Sequence, residues 1–242
     1  MKKHRLFQNL ILISVLLSLF ILTSCSTGTI PPPPTPSPVQ KIDIPANYDH
    51  EFTKIILTPE GNGYDSSKKI VLWDKDPAVW IGSNASQDYI EKAKTAVGKL
   101  AEFTNYAIAP YIVDDKQSAD VTFEWVNNLD DLPSGGVANI FLTEVNYKGV
   151  IKKVKILFWN GLVNNLVEGA CLEELTHSLG ICGETEMYPK SVFAINNTYI
   201  DYCPQDLAAG KVIYQIEPGT IFEEFDKIVE ESLKSFSILD GF

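Results

Sequence analysis

Arginine is all but missing: among 20 basic residues in 242, Arg5 is the only one, and 31 Asp and Glu bring the formal charge to −11. Nucleic-acid affinity rests on cationic side chains that neutralise phosphates, so that class of partner is excluded. Cysteine is scarce too, at 4, which excludes a miniprotein held together by dense disulfides. With only 3 His, an imidazole-rich metal centre has almost nothing to draw on. No apolar run approaches the roughly 20 residues of a membrane-spanning helix. What remains is an ordinary globular composition, 45% hydrophobic and 21% charged, long enough for one large or two small domains at roughly 150 residues each.

Lys2, Lys3 and Arg5 precede an apolar run from Leu10 to Leu22, the order of a secretory signal peptide. Leu22-Thr23-Ser24-Cys25 then resembles the bacterial lipobox, in which small residues precede a Cys that is acylated and becomes the new N-terminus. The resemblance implies a signal peptide over residues 1–24, lipidation of Cys25 and attachment to a membrane through the lipid; an ordinary signal peptide with an incidental Cys is the alternative. Removing three positive charges leaves 17 basic against 31 acidic residues, a charge of −14. An anionic bilayer repels such a body, so acyl chains must supply the attachment. Ser26 follows the Cys where an Asp would signal inner-membrane retention, so the expected location is the bacterial envelope outside the cytoplasm, at the outer membrane where one exists.

Residues 25–40 carry Pro31, Pro32, Pro33, Pro34, Pro36 and Pro38, a composition for extended polyproline II and hence a stalk. Such a segment can also be a ligand for aromatic grooves; beside a lipidated Cys a spacer is the better reading. Residues 41–242 show no repeat and no second linker, so a single domain is expected. Within it, Ile70 to Trp73 and Val79 to Ile81 read as a strand or hairpin around Asp76-Pro77. Ser86 offers an N-cap for a helix from Gln87 to about Asn105. Val121, Phe123 and Trp125 alternate with polar neighbours, as do Ala138, Ile140, Leu142 and Val154, Ile156, Phe158, which predicts three further strands. Helices are predicted over about 162–180, over about 204–215 with Pro204 in the first turn, and after a capping box at Thr220 and Glu223 with a stripe of Phe222, Phe225, Ile228, Val229 and Phe236. Strand, helix, several strands, then helices is an α+β plan, a mixed twisted sheet packed against helices.

The chemistry concentrates in Cys171-Leu172-Glu173-Glu174-Leu175-Thr176-His177-Ser178-Leu179-Gly180. Four residues apart on a helix, Glu173 and His177 share a face and can chelate one ion. In H-E-x-x-H metalloproteases two His bind zinc and the Glu activates water. With His177 in the second ligand slot, Glu174 falls on the general-base position and Glu173 replaces the first His.

The segment resembles the active-site helix of the metzincins, H-E-x-x-H-x-x-G-x-x-H. Gly180 matches the glycine, but Gly183 stands where the third His belongs and no His follows His177. A closer resemblance is to an uncharacterised family of secreted bacterial proteins with a zincin-like core. Its signature is E-E-[LI]-T-Q-x-L-G, then S-[IV]-F, then an acidic residue leading a helix. Glu173 to Gly180, Ser191-Val192-Phe193 and Asp206 carry that pattern here, and the resemblance implies a zincin-like fold. Most such relatives have Gln at the place of His177, which implies no general zinc requirement. Glu184, Glu186 and Asp201 are further carboxylates that could complete a site, and their spacing selects none of them.

Three readings follow: a hydrogen-bonded polar cluster beneath a cleft, a metal bound without proteolysis, and a zinc-dependent peptidase-like hydrolase. The scarcity of His favours a degenerate, non-catalytic binding or structural module, with no certain cofactor and an unidentified protein or peptide partner. The hydrolase, with zinc on Glu173 and His177 and Glu174 as base, is the alternative. Cys171 belongs to a buried helix face and reads as core; a bridge between Cys182 and Cys203 is expected, with three reduced thiols as the alternative. His50 reads as a surface residue. Trp73, Trp80, Trp125 and Trp159 fall in or beside predicted strands, which favours core packing over sugar stacking.

Overall fold

Alternation along the two best-patterned segments produces the centre of the sheet. In the computed structural model, which describes residues 40–58, 67–132, 136–195 and 198–239, β3 (Val121–Val126) and β5 (Ile151–Trp159) run parallel in a register from Val121↔Val154 to Val126↔Trp159. Val121, Phe123, Trp125, Val154, Ile156 and Phe158 all point inward and are buried. Phe123 and Phe158 stack with centroids 5.4 Å apart. Burying side chains of this size is worth about 1.5–3 kcal/mol each.

β4 (Ala138–Val145) pairs antiparallel with β5. β1 (Ala78–Ile81) and β2 (Tyr111–Ile112) continue the parallel part, giving the order β2-β1-β3-β5-β4. The fold is therefore α+β around a mixed five-stranded sheet, and residues 39–242 form one compact unit. The expected signal peptide over residues 1–24, Cys25 and all but the last residue of the expected stalk over 25–40 lie outside the described residues.

Five helices complete the described fold: α1 (His50–Leu57), α2 (Gln87–Phe103), α3 (Asn164–His177), α4 (Pro204–Ile213) and α5 (Phe222–Leu239). Ser86 caps α2 by accepting from the Tyr89 amide at 3.3 Å. Ala93, Ala96, Val97, Leu100 and Phe103 then turn one face into the core, and α2 lies along α3.

Several expectations need correcting. Residues 70–81 do not make a hairpin: β1 pairs in parallel on both sides, and Leu72 instead bridges Val150. Thr220 donates its hydroxyl to Glu217 O at 2.7 Å; α5 starts two residues later, at Phe222. The Phe236 side chain lies outside what is described. No bridge joins Cys182 to Cys203; these and Cys171 are free thiols, and Cys203 sits at the start of α4 with its amide bound to Asp206. His50 is not a plain surface residue. Its Nδ1 meets the Tyr48 hydroxyl and its Nε2 meets Asp226 Oδ1, both at 3.0 Å, and the ring lies against Phe225. Trp73 and Trp125 are core residues, whereas Trp80 and Trp159 are only partly buried.

Asp120 ties β1 to β3. Its Oδ2 accepts from Lys75 Nζ at 2.7 Å and from the Ala78 amide at 3.0 Å. Burial pushes this carboxyl up, but Lys75, the Ala78 amide and Lys153 outweigh it and hold it below the usual aspartate range. A folded value below the unfolded one stabilises above roughly pH 4 and is lost as pH falls through the folded value. Asp120→Asn is expected to cost about 1–2 kcal/mol at pH 7 and progressively less as pH falls below roughly 4, as read by urea unfolding across that range. A gap that persists in acid would refute the assignment.

Candidate metal centre

α3 carries the site, and its surroundings explain why a polar helix end can be buried. Val167, Ala170, Cys171, Leu172 and Leu175 are in the core, as are Thr176 and His177. The last carbonyls of the turn do not go unmet: Trp73 Nε1 donates to Ser178 O and Tyr214 OH to Leu179 O, each at 2.9 Å. Thr176 Oγ1 bonds Leu172 O and shares a hydrogen bond with Tyr202 OH. At Gly180, φ is +98° and an added Cβ would lie 1.9 Å from Val71 O, so the chain turns off the helix where only glycine fits.

The turn after Gly180 orients the histidine. Ile181 O lies 2.5 Å from His177 Nδ1; a carbonyl only accepts, so Nδ1 bears a proton and Nε2 is the nitrogen left to face the carboxylates. The ring is 8% exposed, and Phe193 packs against it with centroids 5.6 Å apart. Donation of the remote ring N–H to a backbone carbonyl is how a metal-ligating imidazole is held in one tautomer.

The third donor arrives on the next segment. The amides of Cys182 and Gly183 both donate to Ile56 O, at 3.0 and 2.8 Å, and a Cβ on Gly183 would sit 2.1 Å from Ile55 O. This docking against the C-terminal turn of α1 delivers Glu184. Ligand atoms of Glu173, His177 and Glu184 lie within 4.8 Å of one another, the only such trio among the described residues. Glu173, Glu174 and Glu184 are half-buried, and Glu174 gives no atom to the trio. Of the other downstream carboxylates, Glu186 is exposed, and Asp201 is exposed and paired with Lys99 at 2.8 Å.

Two carboxylate oxygens and one imidazole nitrogen form a donor set that suits zinc and also harder divalent ions. No thiol belongs to the trio; without metal, burial pushes Cys182 and Cys203 up to about 11 and Cys171 higher still, so all three are protonated near neutrality.

The remaining motif residues meet one another behind the site. Asp206, at 0% exposure, accepts from Ser191 Oγ at 2.6 Å, the Val192 amide at 3.1 Å and the Cys203 amide at 2.9 Å. Burial pushes its carboxyl above the ordinary range, with these donors pulling the other way. The sequence offered Ser191, Val192, Phe193 and Asp206 only as parts of a pattern; their contact is visible in the fold alone. Glu184 is one position beyond the expected third-ligand slot at Gly183, a shift that helical spacing does not anticipate. No protein-family model and no curated protein matches the chain.

Proposed function

We propose that the chain is a zincin-like, metal-dependent hydrolase acting on peptide bonds, held by an acylated Cys25 outside the bacterial cytoplasm. The observation that carries this reading is the convergence of Glu173, His177 and Glu184, which favours Glu184 as the third donor among the carboxylates that the sequence left equal. It moves the balance away from the non-catalytic module, which needs no such trio. The mixed sheet and a buried helix that presents E-E-x-x-H at its end support the zincin-like plan.

A divalent ion bound there would act as a Lewis acid, polarising a carbonyl and acidifying a water. Glu173, His177 and Glu184 would hold it, His177 through Nε2. Glu174, next to Glu173 and outside the trio, would take the proton from the attacking water and return it to the leaving amine.

Zinc content by elemental analysis, and cleavage of a quenched fluorogenic peptide library, test this on the full chain in detergent. One zinc per chain is expected, lost in Glu173→Ala and His177→Ala. Glu174→Gln should retain the zinc and lose cleavage by about a hundredfold or more. A metal-free protein indifferent to chelator would overturn the whole reading. Stoichiometric zinc with no cleavage would overturn the hydrolase and leave a metal-binding module.

A further inference from the structure

Behind the three donors lies a four-residue turn, Ser191-Val192-Phe193-Ala194, closed by the Ala194 amide on Ser191 O at 3.1 Å. It touches two of the three donor-bearing segments. The Phe193 ring, fully buried among Phe52 and Phe103, packs on the His177 imidazole. The Phe193 carbonyl accepts from the amide of Thr185 at 2.8 Å, and Thr185 directly follows Glu184. The turn therefore sets both the plane of the imidazole and the path of the segment that presents the third carboxylate.

The turn in turn depends on one buried acid. Asp206 Oδ1 holds the Ser191 hydroxyl, while Oδ2 holds the Val192 amide and the Cys203 amide. The Ser191 oxygen passes this restraint on by accepting from the Phe193 amide at 3.0 Å. A buried carboxylate with three donors is a rigid clamp, since losing it strands each of them without water. Asp206 is on α4 and touches none of the donor residues in these bonds; its reach is through the turn.

Resting on the metal reading above, we propose that Asp206 is a positioning residue of the metal centre, whose carboxylate fixes the Ser191–Ala194 turn and through it the plane of the His177 imidazole and the placement of Glu184. Indirect ligand supports of this kind typically change metal affinity by about 10–100-fold.

Two readouts on the full chain labelled with ¹⁵N-histidine separate this from a merely structural role. The first, taken without metal, is the contact between the His177 ring protons and the Phe193 ring, from nuclear Overhauser effects, with the His50–Phe225 ring contact as internal reference. The second is zinc affinity by competition with a chromophoric chelator. Wild type should show the His177 ring held against Phe193. Asp206→Asn and Ser191→Ala should weaken that contact and, like Phe193→Leu, which keeps bulk but loses the ring, should weaken zinc by about tenfold or more. Val229→Ala, a fully buried core change in α5, should lower the melting temperature and alter neither readout.

If Asp206→Asn does not fold, Ser191→Ala, which removes one hydroxyl, carries the test. An unchanged His177–Phe193 contact and zinc affinity in Ser191→Ala, with unchanged zinc affinity in Phe193→Leu, would overturn the positioning role. A His177–Phe193 contact that Asp206→Asn and Ser191→Ala release, in a wild type that takes up no zinc, would uphold the positioning of His177 and sink the metal reading instead.

Discussion

Gly180→Ala is expected to cost about 4 kcal/mol, a large fraction of the roughly 5–15 kcal/mol that holds a domain folded. Two terms combine. A side chain at φ +98° occupies a backbone region that L residues rarely visit, a strain of about 1–3 kcal/mol. The added Cβ would also stand 1.9 Å from Val71 O and 3.2 Å from Ile151 Cδ1, and neither a backbone carbonyl nor a β5 core residue can yield without disturbing the sheet. Urea unfolding measures the loss. The damage should reach the site as well, because the segment leaving Gly180 carries the carbonyl that orients His177. A change below about 1 kcal/mol would mean that the turn rearranges freely, and the account of a rigid helix exit would be wrong.

Glu184→Gln is expected to weaken zinc binding by about a hundredfold, or about 2.7 kcal/mol, with little effect on the metal-free fold. Gln preserves shape and an oxygen donor but removes the negative charge that a divalent ion requires from this position. Because the side chain is only half-buried, the metal-free melting temperature should shift by no more than a few degrees. Glu186→Gln and Asp201→Asn provide the comparison: both residues are exposed and outside the trio, so zinc affinity should be unchanged. If all three substitutions weaken zinc equally, the effect is general electrostatics in an acidic protein, and Glu184 is not a ligand.

The parts of this molecule that could be read from residues alone are those fixed by local pattern. The start of α2 was announced by Ser86, and Pro204 marked the first turn of α4. Strands β3 and β5 followed from strict alternation, since each has one face in the core. α1 was legible in principle, with Asp49 accepting from the Phe52 amide at 3.0 Å and Phe52 and Ile56 one turn apart, but eight residues give a weak periodic signal. β2 has two residues, both exposed, and exists only because the edge of β1 offers partners. Of the strand or hairpin expected around Asp76-Pro77, the strand exists as β1 and the hairpin does not, because long-range parallel neighbours, not the adjacent run, pair with it.

The site divides along the same line. Glu173 and His177 share a helix, so their spacing placed them together. Glu184 was named among three equal candidates, because what selects it is the docking of Cys182 and Gly183 on Ile56. Ser191 and Asp206 meet through tertiary structure, and no local rule brings a turn and a helix start together around one carboxylate.

That docking also sets an order of events. Ile56 is made early and Gly183 late, and the carbonyl that receives the third-donor segment is supplied by a helix preceding every strand of the sheet. A chain delivered N-terminus first must leave α1 waiting until the sheet, α3 and the segment beyond it have all appeared. Closing such a distant contact is slow and comes late in folding. Half-finished chains would therefore present Glu173 and His177 without their third donor and hold metal weakly, so loading would coincide with completion of the fold.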